Sequence, residues 1–194
     1  GVDHCISCAN GTDALYIALK ALDIGPGDEV ITTALSWIST SETISQTGAR
    51  VVFADIEPDF FTIDPARIEE KISNKTKAII PVHMYGQAAD MGRIMAIADR
   101  HKLAVIEDCA QAHGAEYKGS KVGGIGDIGC FSFYPTKPLS GSDGGMVVTD
   151  DYEKYKWFKE AVLNGMTYAN NNWERTISFP GYKMHMNSIQ AQIL

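Results

Sequence analysis

Short apolar runs of strand length alternate with amphipathic stretches of helical spacing along almost the whole chain, and no other feature limits its fold so tightly. The strand-like runs cover residues 4–7, 30–32, 51–55, 78–83, 104–108, 129–133 and 146–149. Helical stretches over 13–22, 39–47, 65–72, 91–101 and 151–163 separate them. In the first of these, Ala14, Leu15, Ile17, Ala18, Ala21 and Leu22 recur at helical spacing and define one buried face. Alternation of this kind predicts an α/β fold, a mostly parallel sheet flanked by helices. No linker, repeat or low-complexity tract interrupts it, so a single domain is expected over residues 1–194.

Charge and cysteine content narrow the function classes. A formal net charge of −7 with no basic run argues against nucleic acid as a partner. The apolar runs are too short to span a membrane, and the N-terminus has no signal-peptide pattern. Cys5-Ile6-Ser7-Cys8 has the spacing of half a zinc site, but neither a second such pair nor paired histidines accompany it, so no metal is expected. Cys109 and Cys130 sit in apolar runs and read as core residues, and a reducing cytoplasm fits them.

In open α/β sheets, ligands gather beyond the carboxyl ends of the strands. Four features fall there. Asn10-Gly11-Thr12 leads from a strand into the first helix, where free N–H groups suit a phosphate, although Asn and Thr are also ordinary helix caps. Asp108 ends an apolar run, with Gln111 three residues on; a helix cap or a salt bridge is the common fate of such an aspartate. Trp37 follows the second strand and could equally be core. Lys137 follows Phe131-Ser132-Phe133-Tyr134-Pro135-Thr136, and Pro138 disfavours helical geometry at the lysine itself. A strand-end acid and a post-strand lysine are the two groups that pyridoxal 5′-phosphate requires, one for its ring nitrogen and one for a Schiff base. Ser132, alternating with Phe131 and Phe133, should point to the face opposite theirs. Gly124-Ile125-Gly126-Asp127-Ile128-Gly129 matches a dinucleotide fingerprint, but it precedes a strand where the fingerprint must follow one. It reads as turns.

Five ordered blocks carry a resemblance: Asn10-Gly11-Thr12-Asp13-Ala14-Leu15, Gly25-Pro26-Gly27-Asp28-Glu29-Val30, Pro81-Val82-His83-Met84-Tyr85-Gly86-Gln87, the run from Glu107 to Ala115, and the run from Phe131 to Lys137. Together they resemble the DegT/StrS family of pyridoxal-phosphate-dependent nucleotide-sugar aminotransferases. The resemblance implies the large domain of a type I fold transferase, with an N-terminal segment and a small C-terminal domain outside the present sequence. It implies transfer of an amino group, from glutamate, to a nucleotide-linked keto-sugar in a ping-pong reaction serving amino-sugar and polysaccharide biosynthesis. A homodimer with a shared active site is implied as well.

By the same resemblance Lys137 would carry the cofactor and shuttle a proton, and Asp108 would pair with the ring nitrogen. Gln111 would approach the ring's phenolic oxygen. Gly11, Thr12 and Ser132 would hold the phosphate, and Trp37 would stack on the ring. Lys183 stands where many members have an asparagine that reaches a neighbouring subunit's phosphate, and His185 replaces the usual arginine. Two alternatives stay open: dehydration or elimination on the same scaffold, and a non-catalytic regulatory relative.

Overall fold

A computed structural model of the protein describes residues 1–168 and 174–194. Seven five-residue strands form its central sheet: β1 (His4–Cys8), β2 (Glu29–Thr33), β3 (Arg50–Ala54), β4 (Thr76–Ile80), β5 (Ala104–Asp108), β8 (Ile128–Ser132) and β9 (Gly145–Thr149). Two antiparallel pairs complete the strands among the described residues: β6 (Glu116–Tyr117) with β7 (Ser120–Lys121), a hairpin, and β10 (Met166–Tyr168) with β11 (Arg175–Ile177). The helices are α1 (Gly11–Ala21), α2 (Ser39–Gln46), α3 (Pro65–Glu69), α4 (Met91–His101), α5 (Tyr152–Ala161) and α6 (Ser188–Ile193).

The sheet runs β1-β9-β8-β5-β4-β2-β3. Pairing is parallel from β8 through β3, while β9 is antiparallel to both of its neighbours. The mostly parallel sheet expected from the alternation is therefore present, with one reversed strand. None of the helices among the described residues is long and apolar enough to cross a membrane.

Side-chain alternation along the strands divides the core into two layers. Val30, Ala78, Ile80 and Ile106 pack with Leu15, Ile17 and Leu19 of α1 and Phe158 of α5. Ile31, Ile79 and Val105 point the other way, onto Ile68 of α3 and Met91, Ile94 and Ile97 of α4. Continuing that alternation along β5 sends Glu107 to the α4 side and Asp108 to the α1 side. Each of these parallel strands is thus apolar on both faces through its middle.

Differences from the sequence expectation have local causes. β4 stops at Ile80 because Pro81 has no N–H to continue the ladder, although Val82 still bridges to Asp108. The third helix ends at Glu69, three residues short of the expected bound. Hairpin β6–β7 escapes a periodicity search because its strands are two residues long. It turns through Lys118 and Gly119, both at positive φ (50° and 85°), the backbone of a two-residue hairpin loop.

Candidate functional site

Beyond the carboxyl ends of β5 and β8 lies a pocket of about 310 Å³. Its wall brings together Gly11, Thr12, Trp37, Asp108, Gln111, Ser132 and Lys137, seven of the eight residues singled out in the sequence. Lys183 stands outside it, exposed, bridging to Leu163. Ser36, Ser39, Thr40, Tyr134 and Asp143 also line the pocket and carried no signal in the sequence.

One end of the pocket is built for an anion. Asn10 caps α1 by accepting from the Asp13 N–H at 2.8 Å, which leaves the N–H groups of Gly11 and Thr12 at the helix start with no partner among the described residues. The positive end of the α1 dipole adds to their attraction for negative charge. Ser132 presses against this turn: a Cβ on Gly11 would lie 2.5 Å from the Ser132 Cβ, so only glycine fits. The Thr12 hydroxyl donates to Ser39 Oγ at 2.8 Å, tying α1 to α2 and leaving the Ser39 proton free to turn toward the pocket. These groups form a ring of small donors of the kind a phosphate monoester requires.

Asp108 forms the floor. It is 4% exposed, accepts from the Ala110 N–H at 3.1 Å and from the Thr40 hydroxyl at 2.8 Å, and forms no salt bridge among the described residues. Burial pushes its carboxyl above the ordinary aspartate range; the bonds from Ala110 and Thr40 and the charge of Lys137 oppose that shift without reversing it. A buried acid in this state is stabilised by a cation set against it. A protonated ring nitrogen meets that requirement, so Asp108 fits the cofactor that the sequence implies.

The remaining residues are arranged around that floor. Gln111 Oε1 accepts from the Tyr85 N–H at 2.9 Å. A backbone N–H can only donate, so the atom facing Tyr85 is the oxygen, and the amide NH₂ is the end left for the pocket. Lys137 is half-buried in a turn, with its N–H on Tyr134 O at 2.9 Å. Trp37 is 69% exposed at the rim, which excludes the core-packing alternative.

On the other face of β5 a second carboxylate has a different surround. Glu107 is fully buried and accepts from the Gly123, Ile125 and Gly126 N–H groups at 2.8, 2.8 and 2.7 Å, and from His83 Nε2 at 2.9 Å. His83 Nδ1 accepts from the Ala89 N–H at 3.0 Å, so Nε2 carries the proton and donates to Glu107. Burial would raise the Glu107 carboxyl, but the bonds from His83, Gly126 and Gly123 outweigh it and hold the group below the ordinary range. The glycine-rich run that mimics a dinucleotide fingerprint thus wraps one of the protein's own carboxylates. His83, Glu107 and Cys109 lie close enough to suggest a metal triad, but those hydrogen bonds engage the His83 and Glu107 donor atoms, and burial keeps the Cys109 thiol protonated. The sequence signal for this pair was a glutamate at a buried strand position, which has to find donors somewhere.

Against known proteins, residues 1–194 match the model of the DegT/DnrJ/EryC1/StrS aminotransferase family. The chain belongs to that family. It is 50% identical over its full length to the UDP-N-acetyl-3-dehydro-alpha-D-glucosamine 3-aminotransferase of Acidithiobacillus ferrooxidans, covering 52% of that protein. It is 56% identical, over 98% of its length and 50% of the relative's, to the pleiotropic regulatory protein of Geobacillus stearothermophilus. Among solved structures, an aminotransferase from Psychrobacter cryohalolentis superposes with a TM-score of 0.95 at 40% identity, covering 99% of this chain and 51% of that one. The PLP-form of the putative sugar aminotransferase Spr1654 from Streptococcus pneumoniae superposes at 0.91 with 32% identity, over 97% and 53% of the two chains. The chain spans about half the length of the curated relatives it matches.

Proposed function

We propose that this chain, as a member of that family, is the cofactor-binding portion of a pyridoxal-5′-phosphate-dependent aminotransferase acting on a nucleotide-linked keto-sugar, with an amino acid such as glutamate as donor. The observation that carries the reading is one pocket joining a buried acid without a salt bridge among the described residues, Asp108, to Lys137 and to a ring of phosphate-sized donors. When bound, the cofactor supplies an electron sink for negative charge developing at the substrate carbon that bears nitrogen.

The chain's own residues account for the rest. Gly11, Thr12 and Ser132 would hold the phosphate, and Asp108 would keep the proton on the ring nitrogen. Gln111 would donate to the phenolic oxygen through its NH₂, and Trp37 would cover one ring face. Lys137 would hold the cofactor through Nζ; once displaced from it by substrate, the same Nζ can take a proton from one carbon and return it at another. Pro135 and Pro138 stiffen the segment on either side of Lys137, which keeps that amine aimed at the pocket. Lys183 is exposed and outside the lining of its own pocket, and we assign it to the phosphate of a second subunit, as in a homodimer with shared sites. Cys5, Cys8, Cys109 and Cys130 are all free thiols, which supports a cytoplasmic setting.

Borohydride reduction of the full-length holoprotein followed by peptide mapping tests the cofactor assignment. An adduct on Lys137 is expected; an adduct on another lysine would refute it. A panel of nucleotide-linked keto-sugars with glutamate as donor tests the reaction: amino-sugar formation is expected, and a dehydrated sugar would identify the eliminase alternative. The name of the Geobacillus relative supports a second, regulatory reading, under which the protein binds the cofactor and leaves every keto-sugar unchanged.

A further inference from the structure

A pair of hydroxyls, one just before α2 and one in its first turn, has no part in the mechanism above. Thr40 is 1% exposed, and its Oγ1 donates to Asp108 Oδ2 at 2.8 Å. Ser36 Oγ lies 2.7 Å from the same Thr40 oxygen. An ionised carboxylate can only accept, so the Thr40 proton goes to Asp108 and the bond from Ser36 to Thr40 must run on the Ser36 proton. The result is a directed chain, Ser36 to Thr40 to Asp108.

This is not how a helical threonine hydroxyl ordinarily behaves. The common partner is the helix's own carbonyl one turn back. Thr43, on the same helix, follows that rule and donates to Ser39 O at 2.9 Å. So does Thr47, at its end, to Ile44 O at 2.7 Å. Thr40 instead reaches a carboxylate 68 residues away on β5. The helix has no side-chain cap at its N-terminus, so these hydroxyls are turned toward the pocket and not toward the helix's own amides.

We propose that Thr40, oriented by Ser36, is a positioning residue for Asp108: it fixes the Oδ2 edge of the carboxylate in the ionised orientation that meets the cofactor's ring nitrogen. The inference rests on the reading of Asp108 given above. Other groups also bear on the carboxylate. Lys137 across the pocket favours its charge, His83 behind β5 gives its proton to Glu107, the Ala110 N–H holds Oδ1, and the Cys109 and Cys130 thiols beside it stay neutral. Asp143 lines the same pocket and carries like charge. Among these, Thr40 is the donor on Oδ2, the oxygen that Ala110 leaves free. A charge-assisted bond of this kind is among the stronger ones a side chain forms.

The test is a titration of the full-length apoprotein with pyridoxal 5′-phosphate, followed by absorbance, from acid to neutral pH. Affinity should fall in acid as Asp108 takes up a proton and loses the ring nitrogen as partner. Thr40→Val removes the donor and should move that acid limb upward by about one pH unit, with affinity at neutral pH weakened about tenfold. Thr40→Ser keeps the hydroxyl and should stay within about twofold of the parent protein. A limb that does not move in Thr40→Val overturns the inference. Asp108→Asn separates this from failure of the underlying reading: it should abolish the limb, and a parent-like limb in that variant would remove Asp108 from the site altogether. Thermal unfolding of each variant checks its fold. Were Thr40→Val to fail it, Ser36→Ala, outside the helix and half-buried, reads the same limb with a smaller upward shift, and a parent-like limb there overturns the relay.

Discussion

Glu107 and Asp108 follow one another on the same strand, and they meet opposite surroundings. Glu107 faces the α4 side, where three backbone amides and an imidazole saturate its oxygens and hold its carboxyl low. Asp108 faces the pocket with two hydrogen-bond donors and no salt bridge among the described residues, and burial holds its carboxyl high. A saturated carboxylate has nothing left to offer a ligand and serves to fasten its surroundings. An acid left under-compensated costs stability and is ready for a cationic partner. The pairing teaches that burial alone does not mark a functional acid; the state of its donors does.

Neutralising each acid in turn should break the comparison if it is wrong. Asp108→Asn in the full-length protein should lower transamination about a thousandfold, the scale of losing a preorganised charge in a closed site, with the fold retained. Glu107→Gln should leave turnover within about tenfold of the parent protein, because it keeps the shape and one acceptor oxygen. Equal losses measured under saturating cofactor would show that both acids serve the site.

Stability should order the two the other way. Glu107→Ala leaves three amide donors and the His83 Nε2–H without partners, and should cost about 3–5 kcal/mol in denaturant unfolding, the cost of breaking a buried pair. Asp108→Asn, by contrast, should leave the cofactor-free protein as stable as the parent at neutral pH or more so. A large destabilisation by Asp108→Asn would make it a structural residue.

The pH dependence sharpens the same contrast, since the two signs oppose. Glu107 has a folded value below its ordinary one, so its contribution is complete above the ordinary glutamate range and is lost as pH falls through the lowered folded value. Asp108 has a folded value above its ordinary one, so ionising it opposes folding. That penalty appears as pH rises from the ordinary aspartate value through the raised one, and is constant beyond. Unfolding of the apoprotein followed against pH should therefore show the advantage of Asp108→Asn shrinking toward zero in acid. An advantage that grows in acid would contradict the raised value.

The smallest expected effect is at Trp37. With the ring at the exposed rim, Trp37→Ala should change apoprotein stability by no more than about 0.5 kcal/mol, as surface substitutions do. It should weaken cofactor binding by about 1 kcal/mol, and Trp37→Phe should restore most of that loss because it keeps a π-face. Calorimetric titration with the cofactor distinguishes the two variants.

Much of the molecule was legible beforehand because its signals are local. Strand-sized apolar runs and helical spacing are properties of neighbouring residues, and all seven strands of the central sheet and helices α1 to α5 fall where those periods lie. Residues just past the strand ends could be gathered in advance, since parallel strands bring their carboxyl ends to one edge. Gly11, Asp108, Ser132 and Lys137 do line one pocket there. Thr40 was hidden because a hydroxyl in an amphipathic helix has no distinguishing period. The antiparallel pairs β6–β7 and β10–β11 were hidden because two- and three-residue strands have none.

The order of elements, the parallel sheet and the family were thus determined by the chain's own pattern of residue types, read a few positions at a time. What only the tertiary structure decided is which of two adjacent acids would be free. Alternation sends Glu107 and Asp108 to opposite faces, but their donors come from elsewhere: His83 and the 123–126 turn for one, Thr40 for the other. Hydrogen bonds between residues 16 to 68 positions apart leave no periodic trace in a sequence, and they are what separates a fastened carboxylate from one prepared for a cation.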